Sequence, residues 1–242
     1  MKNKILCLAL VAIILALPAI HATAAPDFYT TYTALLQRHV HQGEVNYTTL
    51  QKDRTLLRQL VNQVAGYNLK EASVAEKKAF YLNAYNLLVL DQVLAHYPLK
   101  SVMDVEGFFD RTQYKVAGEQ LTLNELEKQK LLQPYKDARV HFALVCAAKS
   151  CPPLRSQAFM PQSVEQQLQD QAKRALNNPE FVKIQVNGKQ VQISEIFKWY
   201  KDDFLNEAES ITAYINKFRS TPLPAKYSLS YYTYNWQLNN AD

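Results

Sequence analysis

The chain has 242 residues, with 27 Lys and Arg against 22 Asp and Glu for a formal charge of +5, and it holds 15 tyrosines, 5 glycines and 3 cysteines. Its basic residues are scattered among acidic ones instead of forming a stripe, which speaks against nucleic acid as a partner. Scarce glycine fits a compact domain with few flexible linkers, and the length fits one domain with a substantial core.

At the start of the chain, Lys2 and Lys4 precede an apolar run over residues 5–17, and Ala22, Thr23 and Ala24 follow as small residues. That is the layout of a secretory signal peptide. The run is shorter than the roughly 20 residues a membrane-spanning helix needs, so it is expected to be removed, leaving no stable membrane anchor. Cleavage after Ala24 avoids leaving Pro26 at the new terminus. Cys7 has too little apolar sequence before it to serve as a lipid-attachment site. The expected plan is a signal peptide over 1–24 and a single globular domain over 25–242, delivered to the periplasm or the medium. Loss of Lys2 and Lys4 lowers the charge from +5 to +3.

Residues 27–39 carry Phe28, Tyr32, Leu35 and Leu36 at helical spacing, and residues 50–64 repeat the pattern with Leu57, Leu60 and Val61; both are predicted amphipathic helices. Ser73 and Glu76 form a capping-box pattern opening a long apolar helix that runs to about His96, ahead of Pro98. Alternation around Gly118 predicts a hairpin over residues 114–121, and Thr122 with Glu125 caps a short helix. Residues 139–146 read as a strand. Ser163 and Gln166 are expected to cap a helix ending near Asn177. Asn187-Gly188, between residues 181–186 and 189–193, predicts a hairpin with a type I′ turn, and Ser194 begins a helical segment with Trp199 and Tyr200. Helices and hairpins without regular βαβ alternation define an α+β class, with helices packed on an antiparallel-rich sheet.

The chemistry-bearing stretch is residues 141–154, HFALVCAAKSCPPL, which holds Cys146 and Cys151. Three readings compete. The two can pair as a disulfide, as cysteines in an oxidising compartment do. Cys146 can act as a nucleophile, its thiolate favoured by Lys149, Arg155 or backbone amides. A metal bound by both sulfurs is weaker, because no histidine pair is at hand. On a regular strand His141 and Cys146 would point to opposite faces, so a general base would have to come from a bend or from His39, His41 or His96. A histidine in the position of His141 is more often a hydrogen-bonded structural residue than a catalyst. Asn83 and Asn86, three apart on an apolar helix, are expected to bind neighbouring backbone, or else to orient a histidine or donate to an oxyanion. Tyr85, Asn86, Lys149, Arg155 and Trp199 are the binding candidates, and Trp199, Tyr200 and residues 231–236 form an aromatic-rich end that could stack on a glycan.

The segments AFYLNAYN at 79–86, HFALVCAAKSCPPL at 141–154, IFKWY at 196–200 and YNWQLN at 234–239 together resemble the domain-of-unknown-function family numbered five-four-seven. The resemblance spans nearly all of the mature chain and keeps the same order of motifs. It implies a shared fold without an established reaction, and it implies kinship with exported bacterial proteins and with plant and animal proteins, some carrying a glutaredoxin-like module. The resemblance further implies that in plant-type relatives the position matching Cys146 is kept while that matching Cys151 can differ, which directs attention to Cys146. Two functions follow as expectations. One is a cysteine-dependent hydrolase or acyl transferase using Cys146 with His141 and Asn83. The other is a non-catalytic envelope protein, braced by a Cys146 to Cys151 disulfide, that binds a peptide, a glycan or an envelope protein. A thiol redox role ranks third, since the spacing is not C-x-x-C. No cofactor is called for.

Overall fold

A helix with no polar face can be satisfied only at the centre of a domain, and Val74–His96 is such a helix. Ala79, Phe80, Leu82, Leu87 and Val93 are fully buried in a computed structural model that describes residues 27–241. The expected signal peptide lies outside the described residues. Around this axis the helix Phe28–His39 packs on Arg54–Gly66, which packs on the long helix, supplying Tyr32, Leu35, Leu57 and Leu60 to one core. The second predicted helix is divided: Tyr47–Leu50 forms one turn capped by Asn46, and Gln51–Asp53 is a tighter turn before Arg54. Ser73 accepts from the Glu76 amide at 3.2 Å, but the reciprocal half of that capping box is absent, because the Glu76 carboxylate instead accepts from the Tyr67 hydroxyl.

The hairpin Tyr114–Val116 and Glu119–Leu121 turns through Ala117 and Gly118, both at positive φ (48° and 90°), as a two-residue type I′ loop requires. The Thr122–Glu125 capping box is complete, at 2.8 and 3.2 Å. Beyond it the chain widens into a π-helical stretch, Leu126–Leu132.

The predicted strand at 139–146 does not form. Ala138–Phe142 is a short 3-10 helix, and no strand element follows it until Val182. A short apolar run does not distinguish a strand from another buried conformation, and here the partners that would make a strand are replaced by side-chain amides of the long helix. Asn86 donates to the Ala143 carbonyl and accepts from the Val145 amide, both at 2.9 Å. Asn83 does the same with Phe159, both at 2.8 Å. Residues 235–239 close the other side: the Lys149 amide donates to the Gln237 carbonyl at 2.8 Å, and the Asn239 amide to the Ala147 carbonyl at 2.9 Å. Ahead of the segment, Lys78 reaches Glu165 at 2.6 Å and Asp137 at 3.3 Å, and Arg139 pairs with Asp137 at 2.7 Å.

The helix Val164–Leu176 forms as expected, but the Ser163 side chain makes no cap bond. Gln167 turns back in its place, accepting from the Met160 amide and donating to the Ala158 carbonyl. The hairpin of Val182–Gln185 with Gln190–Ser194 is also present, with a correction to its turn. Gln185 pairs with Gln190, so the loop has four residues, and Lys189 rather than Gly188 takes the positive φ. Ser228–Tyr232 adds a third strand, parallel to Gln190–Ser194. No side chain of this strand is fully buried, so no alternation marks it in the sequence. The class is α+β, and the described residues form three small sheets rather than one. A second core of Phe142, Phe181, Phe197, Phe204 and Tyr214 sits between these last elements. No helix among the described residues is long and apolar enough to cross a membrane.

Replacing Asn86 by Ala strands one buried carbonyl and one buried amide. At about 1–3 kcal/mol for each unsatisfied group, Asn86→Ala is expected to lower unfolding stability by ~2–6 kcal/mol in urea titrations. The exposed Gln63→Ala on Arg54–Gly66 should stay within about 0.5 kcal/mol of the parent.

Candidate functional site

Where the two cores meet, a cavity of about 220 Å³ opens to solvent. Its inner end is made of buried side chains: Tyr85 from the long helix, Glu127 from the π-helical stretch, His141 from the 3-10 helix, and Leu144. Trp199 at the mouth is 45% exposed, and Trp236 beside it is half-buried. Tyr200 and Tyr234 form the walls between, with Cys146 and Pro152 along one side. Trp199, Tyr234 and Trp236 pack on one another with ring centroids 4.7–5.9 Å apart. The last two are positioned by backbone: the Tyr234 amide donates to Glu195, and the Asn235 amide to the Ser150 hydroxyl.

Glu127 is the least expected member. Its carboxylate accepts from the Tyr200 hydroxyl at 2.8 Å. Burial pushes this carboxyl above its ordinary range, against the opposing pull of the Tyr200 hydrogen bond, of His141 and Lys128, and of a hydrogen bond from Tyr85. None of the ion pairs among the described residues includes Glu127. Next to it, the His141 ring lies 4.0 Å from the Tyr200 ring and its Nε2 is 2.8 Å from Asp203. That hydrogen bond holds the Asp203 carboxyl below its usual value.

Cys146 and Cys151 form a disulfide, with Cα atoms 6.4 Å apart. The Tyr234 hydroxyl sits 3.2 Å from each sulfur, tying the bridge to the aromatic wall. Because residues 139–146 are not a strand, the alternation that would separate His141 from Cys146 does not apply, and both line the same cavity.

The remaining sequence candidates divide between this site and elsewhere. Tyr85 and Trp199 line the cavity. Asn83 and Asn86 do not; they are buried and their amides are taken up by backbone. Arg155 lies over the Phe159 ring at 5.5 Å, and burial lowers the pKa of its guanidinium. Lys149 faces a wider hollow of about 550 Å³ on the far side of the disulfide loop. That hollow is the larger of the two, but Glu44, Lys149 and Glu180 in it are solvated surface charges. His39 is bound to Thr49 and Asp53 at a separate surface site that also includes His41. Among the described residues no three His, Cys, Asp or Glu side chains cluster as a metal site.

Sequence reasoning passed over Glu127, Asp203 and the precise partnership of Tyr234 with the sulfurs. Glu127 reads as one more polar position in a capped helix, and in the structure it lies on the π-helical stretch and lines the cavity together with Tyr85. Asp203 lies 62 residues from the histidine it holds.

The site is thus an aromatic-walled cavity with a buried acid, set at the seam of an α+β domain. A family model described as "Protein of unknown function, DUF547" matches residues 69–176, and over that stretch the chain resembles this family. The match takes in the long helix, Glu127, His141 and both cysteines; Trp199, Tyr234 and Trp236 lie beyond it. No curated protein and no solved structure matches the chain.

A carboxyl whose value is raised on folding keeps its proton where the unfolded chain has lost it. Its contribution to stability is complete below the unfolded value and is lost as pH rises through the folded one. Glu127→Gln cannot titrate and retains an oxygen for Tyr200. It is therefore expected to match the parent in acid and to exceed it at neutral pH, read as urea midpoints across pH.

Proposed function

We propose that the mature chain is an exported binding protein of the cell envelope that takes its ligand into the aromatic cavity between the two cores. The observation that carries this reading is the solvent-facing end of that cavity, where the exposed Trp199 stacks with the half-buried Trp236 over an inner end of buried side chains. Large aromatic rings left partly exposed around a concave, otherwise buried site are the usual make-up of a small-ligand pocket. The signal-peptide pattern and the disulfide agree with an oxidising compartment outside the cytoplasm, with a periplasm as the simplest one. The size of the cavity favours a small group, or one residue of a peptide or glycan, over the flat face of a folded protein.

In this reading the disulfide braces the wall. It closes a six-residue loop, which the chain-entropy relation converts to about 2 kcal/mol, and Tyr234 rests on it. A second reading has one observation in its favour: Cys146 and the Asp203-bound His141 share the cavity, the grouping a cysteine hydrolase or acyl transferase uses. That chemistry needs the bridge opened, since the thiolate is the nucleophile.

The thiol state of protein recovered from its own compartment separates the two. Alkylation across pH followed by mass spectrometry should find both cysteines blocked, and Cys146→Ala with Cys151→Ala should lose ~2 kcal/mol of stability. A free Cys146 that alkylates well below the ordinary thiol value of about 8.5 would displace binding in favour of catalysis.

A further inference from the structure

We infer that the aromatic cavity is a site for an alkylated ammonium group, held in the space that Tyr85, Trp199, Tyr200, Tyr234 and Trp236 line together with the carboxylate of Glu127. The inference rests on the binding reading above and names the ligand class for that cavity.

Three observations carry it. First, the lining is rich in aromatic rings: Tyr85, Phe109, Trp199, Tyr200, Tyr234 and Trp236 all border the space. The face of an aromatic ring is negative and attracts a cation most strongly where water is excluded, and quaternary ammonium groups are the ligands such cages recognise. Second, the charges that line the cavity favour a cation. Glu127 is 8% exposed and lines the cavity, and no lysine or arginine does. A buried carboxylate is a liability to folding unless something positive faces it, and among the described residues no ion pair supplies that partner. Third, the hydrogen-bonding groups that a sugar would need are largely engaged. The Tyr200 hydroxyl is given to Glu127, the Tyr234 hydroxyl lies against the two sulfurs, and His141 is held by Asp203. A methylated ammonium asks for contact and charge and not for hydrogen bonds, so it suits a wall of this kind. At about 220 Å³ the space suits a head group and not a whole drug-sized molecule.

The chain provides its own reporter, because its two tryptophans, Trp199 and Trp236, both line the cavity. The full mature protein is titrated at constant ionic strength with tetramethylammonium chloride, with choline chloride, and with 3,3-dimethylbutan-1-ol, which keeps the shape of choline without its charge. Tryptophan emission is followed, with calorimetry on the same samples. The expected result is saturable binding of both cations, with the neutral alcohol weaker by about tenfold or more. Glu127→Gln, shown by its urea midpoint to be folded, should weaken the cations by about tenfold and leave the alcohol unchanged. Equal binding of choline and the alcohol would overturn the inference, as would cation binding indifferent to Glu127→Gln. Neutral disaccharides and dipeptides are titrated in the same way, and their binding without either cation would overturn the ammonium assignment and leave the binding reading standing. Silence toward every probe by both methods would remove both.

Discussion

The structure depends on two side-chain amides placed where a sheet would otherwise be needed. Asn83 and Asn86 sit in the middle of a helix that is apolar on all sides, and each offers one donor and one acceptor to a single stretch of backbone: Phe159 for the first, Ala143 and Val145 for the second. A buried segment must satisfy its peptide groups, and a carboxamide presents the same donor–acceptor pair as a neighbouring strand. With these bonds in place the chain from residue 143 to 159 can pass beneath the long helix without a helix or strand of its own.

That freedom makes the cavity. A straight strand packed on the helix would have spread its side chains over two faces, whereas the short 3-10 helix and the bend after it bring His141, Leu144, Cys146 and Pro152 to one side. The C-terminal residues then lie along the same stretch by backbone hydrogen bonds and deliver Tyr234 and Trp236 to the opening. The disulfide and the tyrosine resting on it join these two layers. Glu127 is the price of the arrangement: a carboxylate buried with only tyrosine hydroxyls as its hydrogen-bond partners contributes less to stability than an amide in its place would. Groups of that kind persist where a ligand uses them.

Elements fixed by local chemistry were legible in the sequence. The helix from Val74 announces itself by its length, its apolar run and Ser73; the 114–121 hairpin by Gly118; the short helix after it by Thr122 and Glu125. What escaped was set by distant partners. The run HFALVC has the composition of a strand, and nothing within it reveals that the side chain of Asn86 takes up its Ala143 carbonyl and Val145 amide. Ser228–Tyr232 pairs in parallel with a strand over thirty residues earlier and buries no face of its own. In the site, the tyrosines and tryptophans were visible as an aromatic-rich end, and the two cysteines as a pair with competing roles. Glu127 and Asp203 were not visible, since each becomes distinctive only through Tyr200 or His141 packed on it from another part of the chain.

The central claim, that asparagine amides hold the irregular segment in place of a sheet, is tested most directly by amide hydrogen exchange at Val145 and Phe159. Both amides lie in a stretch without helix or strand, where exchange is ordinarily fast. If Asn86 and Asn83 clamp them, they should exchange only through global unfolding, as slowly as amides in the middle of Val74–His96. Exchange at the rate of solvated loops, with the long helix still protected, would contradict the account.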